Sequence, residues 1–121
     1  MHSIHLYTSS SSHLLNVTAP LAAERAIEIT SALIDLARVV NKVPPEQLRP
    51  TICFDEWNVW DPIRAEGSLG AEENYTLSDA LAVAVWLNVF VRKSKDVSMA
   101  CIAQTVNVIS PLMTTPEGIT K

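Results

Sequence analysis

Apolar and polar residues alternate over Ser3-Ile4-His5-Leu6-Tyr7-Thr8, the two-residue period of a short strand. The serine run Ser9 to Ser12 follows as a polar loop, after which Thr18 is placed to cap a helix and Pro20 to fill its first turn. The period then lengthens. Ala22, Ala26, Ile29, Leu33, Leu36 and Val40 recur at steps of four and three and predict one apolar stripe, with Glu24, Arg25, Glu28 and Arg38 largely off it. Val43-Pro44-Pro45 and Arg49-Pro50 end that helix. Thr51 to Phe54 is β-prone and runs into Asp55-Glu56, and a polar connection extends from Asp61 to Asn74 with Gly67 and Gly70 inside it. Thr76 or Ser78 can cap a second helix, from Asp79 to about Lys93, which is apolar nearly all round and so expects cover on several sides. A last strand is expected over Ser98 to Ala103, continuing toward Val106-Asn107-Val108-Ile109.

Strands separated by helical crossovers predict an α/β fold with parallel pairing and helices on the face of the sheet. Three strands and two helices leave two open sheet edges and uncovered apolar helix sides, so the chain reads as part of something larger. Its 121 residues are 48% hydrophobic and 18% charged, which provides a core and excludes a disordered tail or a collagen-like repeat. A net charge of −4 without a Lys/Arg cluster argues against a nucleic-acid surface. No apolar run has the length of a membrane span; the richest, Ala80 to Val91, is broken by Asn88. Met1 to His5 has neither the positive start nor the apolar core of a signal peptide; the compartment stays open, with secretion slightly favoured over the cytoplasm. Cys53 and Cys101 are too few for a disulfide scaffold and are expected level on the helix-facing side of the sheet as two buried free thiols. His2, His5 and His13 lack a metal-binding helix spacing.

In parallel α/β folds the chemistry gathers at the carboxyl ends of the strands. Those ends carry His5 and Tyr7, then Asp55-Glu56-Trp57-Asn58, then Gln104 with Asn107. Strict alternation would put Ile52, Phe54 and Glu56 on one face and Cys53 and Asp55 on the other, so that if Phe54 points into a barrel, Glu56 points into its mouth. A carboxylate there, beside Trp57 and Trp60, suits glycoside hydrolysis, since indoles stack on sugar faces. A Glu paired with an Arg at a strand end is the plain alternative. Tyr7 is either a hydrogen-bond donor to nucleophile or sugar, or a half-buried packing residue; Gln104 either holds a sugar hydroxyl or is a solvated strand terminus. Asn16-Val17-Thr18 and Asn74-Tyr75-Thr76 match glycosylation sequons, the first doubling as a helix cap.

The run Phe54-Asp55-Glu56-Trp57-Asn58-Val59-Trp60 resembles the nucleophile segment of glycoside hydrolase family 51, the α-L-arabinofuranosidases. Ile4-His5-Leu6-Tyr7 resembles that family's strand-end His-x-Tyr, Leu77 to Val83 the helix after its nucleophile loop, and Ala103 to Thr114 its next strand and loop. Four matches in order imply the C-terminal part of a (β/α)8 TIM barrel, about strands six to eight. Residues 1–121 would then be a partial catalytic domain, with upstream strands and a C-terminal β-sandwich lying elsewhere. The resemblance implies a retaining hydrolase acting on terminal non-reducing α-L-arabinofuranosyl groups of arabinan, arabinoxylan and oligosaccharides. It implies Glu56 as nucleophile and Tyr7, Gln104, Trp57 and Trp60 as substrate-binding residues, with no metal or organic cofactor. Its partners would be those saccharides, with no nucleic acid or membrane, in a homo-oligomer. The family's acid/base is a Glu following Asn, and no Asn-Glu pair occurs here. The piece alone is therefore expected to be inactive; the alternative is a non-catalytic carbohydrate-binding or scaffold protein derived from that barrel.

Overall fold

The computed structural model describes residues 1–61, 73 and 75–120. Strands β1 (His2–Thr8), β2 (Ile52–Val59) and β3 (Val97–Ile102) form one parallel sheet in the order β1-β2-β3, as the crossovers predicted. Helices α1 (His13–Thr18) and α2 (Leu21–Val40) connect the first pair of strands, and α3 (Leu77–Arg92) the second. A hairpin of β4 (Met113–Thr115) and β5 (Gly118–Thr120) stands apart from the sheet. Most of the polar connection expected from Asp61 to Asn74 lies outside the described residues, including Gly67, Gly70 and the second sequon's Asn74.

The first crossover is broken into two helices. Thr18 sits within α1, its hydroxyl donating back to the Leu14 carbonyl at 2.8 Å, and Pro20 rather than Thr18 occupies the N-cap of α2. The break is stabilised by Asn16, whose amide donates to Asp79 Oδ1 at 2.7 Å and Ser78 Oγ at 3.2 Å, pinning α1 to the start of α3. Asn16 is buried by this contact, so in the folded chain its sequon has no accessible amide. Asp79 also accepts from the Thr76 N–H and hydroxyl, both at 2.8 Å, closing the first turn of α3 with Thr76 as the cap.

The core lies between the helices and one face of the sheet. Ala23, Ile27 and Ile34 of α2 meet Ile52, Phe54 and Trp57 of β2, Trp86 and Val89 of α3, and Val97. Phe54, Trp57, Trp86 and Phe90 interlock as an aromatic cluster, with ring centroids 5.0 Å apart for Trp57–Phe90 and 5.4 Å for Phe54–Trp86. The predicted α2 stripe is a different face from the one used. Leu33, Leu36 and Val40 are 58%, 57% and 68% exposed, Ala22 and Ile29 are exposed, and Ala26 is half-buried. The side of α2 that meets the sheet carries Ala23, Ile27 and Ile34 instead. Charge pairs complete the joints: Arg49 to Asp35 at 2.6 Å, Lys93 to Glu28 at 2.8 Å and Arg92 to Glu24 at 2.9 Å.

The final strand stops short of its expected extension. Left-handed backbone at Asn107 (φ 64°) and Ile109 (φ 39°) turns the chain there, and Val106 instead makes an isolated bridge to Leu112.

Candidate active site

The site is made by an irregularity in β2. Along β1, Ile4 pairs with Phe54 and His5 with Glu56, so Asp55 is passed over, and the register with β3 also shifts between Phe54 and Trp57. Such a bulge reverses which side chains face which side beyond it. Phe54 and Trp57 both enter the helix-side core, whereas Asp55 and Glu56 are both exposed. The expected grouping of Ile52, Phe54 and Glu56 is thereby corrected: Phe54 packs against helices, and Glu56 reaches the open face because one residue is inserted before it.

On that face the Tyr7 phenol donates a hydrogen bond to Glu56 Oε1. The Tyr7 ring stands edge-on to Trp60 at 5.4 Å, and the Trp60 backbone N–H donates to the Thr8 carbonyl at 2.8 Å, fixing the end of β2 to the end of β1. Burial first, then the hydrogen bond and charge of Glu56, push the Tyr7 phenol far above its ordinary range, so it stays a protonated donor at any working pH. Among the described residues no arginine pairs with Glu56.

Of the other anticipated residues, Trp57 is not brought to this face. The bulge turns it into the aromatic core, 4% exposed, against Phe90 and Trp86. Gln104 is exposed just beyond β3 at the same end of the sheet, its N–H donating to the Ile109 carbonyl at 3.3 Å, with no side-chain hydrogen bond to Glu56 or Tyr7 among the described residues. Cys53 and Cys101 are free, as expected, but not buried: Cys53 is half-buried and Cys101 exposed. With Ile52 and Phe54 taking the helix side, Cys53 faces the other way, and its thiol is pushed up by desolvation and by the neighbouring Cys101.

Asn58 is the functional-end residue whose part the alternation gives no hint of. Fully buried, it donates from Nδ2 to the carbonyls of Ala103 and Ile109, while its oxygen accepts the Val59 N–H at 2.8 Å. It clamps the loop bearing Gln104 onto the end of β2. An Asn between apolar Trp57 and Val59 is the signal that could have marked it, since a buried amide must find partners. A cavity of about 560 Å³, lined by Asn58, Tyr75, Leu77, Val83, Ile102 and Met113 among others, lies by the start of α3; neither Glu56 nor Tyr7 lines it. Among the described residues no three His, Cys, Asp or Glu side chains gather to hold a metal ion.

A parallel sheet with helices on one face and a tyrosine-held carboxylate at its carboxyl end is an α/β arrangement suited to acting on a ligand at that end. Residues 55–121 match the family model of the α-L-arabinofuranosidase C-terminal domain. A probable α-L-arabinofuranosidase C of Aspergillus flavus is 90% identical over all 121 residues, which make up 24% of that protein. The structure of an α-L-arabinofuranosidase from Thermotoga maritima, in complex with arabinose, superposes with a TM-score of 0.79 at 27% identity, over 97% of this chain and 23% of that one. A family 51 α-L-arabinofuranosidase from Bifidobacterium longum gives 0.80 at 25% identity, over 96% of this chain and 26% of that one. The chain belongs to the α-L-arabinofuranosidases of glycoside hydrolase family 51. It spans about a quarter of the length of the curated relatives it matches.

Proposed function

We propose that the chain contributes about the sixth to eighth strands of a (β/α)8 barrel, and that Glu56 is the nucleophile of a retaining α-L-arabinofuranosidase. The observation that carries the reading is the Tyr7–Glu56 hydrogen bond on the face of the sheet opposite the helices, at the strands' carboxyl end. One Glu56 oxygen is held by the phenol, leaving the other to attack the anomeric carbon of a terminal α-L-arabinofuranosyl group. The carbon–oxygen bond to the leaving group breaks as the ester to Glu56 forms, and water then releases the sugar. In this reading Trp60, seated against Tyr7, flanks the bound sugar, and Gln104 reaches one of its hydroxyls. Trp57 supports β2 from behind.

The acid/base would come from another segment, with its carboxyl about 5–5.5 Å from Glu56. Without it the 121 residues alone should bind at most. Arabinan, arabinoxylan and their oligosaccharides are the proposed substrates. In a full-length arabinofuranosidase carrying this segment, Glu56→Ala should abolish turnover of an aryl arabinofuranoside, and azide, small enough to replace the missing carboxylate, should restore a measurable part. A variant with the wild-type rate would remove Glu56 from the mechanism.

A further inference from the structure

We infer that Asp55 is a positioning residue for Glu56: the hydrogen bond from Ser3 to Asp55 locks the β-bulge that turns Glu56 to the open face. The inference rests on the reading of Glu56 as nucleophile. Asp55 is the residue β1 passes over, and an inserted residue loses its place in the ladder and must be held in some other way. Here the Asp55 carboxylate accepts the Ser3 hydroxyl at 2.6 Å, while His5 Nδ1 stands 3.7 Å from its other oxygen. Ser3 itself pairs with Cys53, so the bond runs diagonally from just before the bulge to the inserted residue.

What it prevents is specific. Removing the bulge would slide the rest of β2 by one residue against β1, and every side chain beyond it would change face. Glu56 would then turn toward the Trp86 side and Trp57 outward. The aromatic core resists the outward turn of Trp57, but its packing is no constraint on where the Glu56 oxygens lie within the open face. Tyr7 holds one Glu56 oxygen directly, and the Ser3–Asp55 bond adds a constraint on the backbone next to the nucleophile, whose loss lets the attacking oxygen shift while the fold remains.

The test uses the full-length enzyme and the variants Ser3→Ala, Asp55→Ala, their combination, Asp55→Asn and Glu56→Ala. Misplacing a reacting group by about 1 Å costs on the order of 100-fold, so Ser3→Ala and Asp55→Ala should each lower kcat at least about tenfold with KM changed less than about threefold. The combination should fall no more than about twofold below Asp55→Ala, because both changes delete one bond. Asp55→Asn, whose side-chain oxygen can still accept from Ser3, should recover to within about threefold of wild type. A smaller loss, single losses that multiply, or an Asn variant no better than Ala would overturn the inference. Ser3→Ala removes a single hydroxyl and gives the answer even if Asp55→Ala does not fold. Should Glu56→Ala retain turnover, the nucleophile reading fails and takes this inference with it; an inactive Glu56→Ala beside an active Asp55→Ala sinks this inference alone.

Discussion

Replacing Tyr7 with Phe deletes one oxygen and leaves the ring. The ring's edge-on contact with Trp60 at 5.4 Å survives, so the packing it contributes, about 0.5–1.5 kcal/mol for such a pair, is retained. What goes is the donor to Glu56 Oε1. A hydrogen bond to a charged group is worth about 1.5–3 kcal/mol, and at about 1.4 kcal/mol per decade this gives a loss of about 10- to 150-fold in kcat/KM. Tyr7 is only half-buried, so water can partly replace the lost donor, and the lower end of that range is expected. Initial rates on a chromogenic aryl arabinofuranoside, with thermal unfolding of the same preparations, check it. Activity within about twofold of wild type would refute the role given to the phenol. An equal loss accompanied by a large drop in Tm would assign Tyr7 to packing instead.

Asn58→Ala strips the donor from two carbonyls, those of Ala103 and Ile109, in a buried position. At about 1–3 kcal/mol for each unsatisfied group, denaturant unfolding of the full-length protein should show a loss of about 2–6 kcal/mol; a loss under about 1 kcal/mol would mean the loop is held by other contacts. Glu24, Glu28, Asp35 and Asp55 are all held below the usual carboxylate range, chiefly by hydrogen bonds from Arg92, Lys93, Arg49 and Ser3 respectively. Their contribution is present above the unfolded values near about 4 and lost as pH falls through the lower folded ones. Stability should accordingly hold from about pH 7 to 5 and drop below about pH 4, less steeply in high salt because these groups are exposed; a flat profile to pH 3 would contradict the assignment. The isolated 121-residue chain exposes Leu33, Leu36 and Val40 on α2 and Leu87 and Val91 on α3, and should self-associate or unfold broadly. Light scattering that shows a monomer with a sharp, concentration-independent thermal transition would contradict this.

The parallel order of the strands was legible because each crossover carries its own helical period, and so was α3, although its cap was left open between Thr76 and Ser78 and the helix begins at Leu77 rather than Asp79. Two other features were not. A stripe on α2 tells that a face is apolar but not which of two apolar faces meets the sheet, and the choice fell to Ala23 and Ile27 rather than Leu33 and Leu36. Alternation along β2 assumes an unbroken period of two, and the bulge at Asp55 breaks it. That one inserted residue is why Glu56 does not share the face of Phe54; Trp57, next to Glu56 along the strand, takes the opposite face from it. Tyr7 and Glu56 come together at the strand ends, with Trp60 against Tyr7, because their strand-end positions do not depend on register; the roles proposed for them come from the family resemblance. The burial expected for the thiols failed on Cys101, because among the described residues nothing covers the sheet's open face.

The central claim is that the Glu56 carboxylate forms the covalent bond to the sugar. A full-length enzyme carrying this segment can be inactivated with a fluorinated aryl arabinofuranoside that slows breakdown of the intermediate, then digested and sequenced by mass spectrometry. The account predicts a single arabinosyl adduct, on the side chain of Glu56. An adduct on any other residue, or hydrolysis with inverted configuration and no adduct, would contradict it.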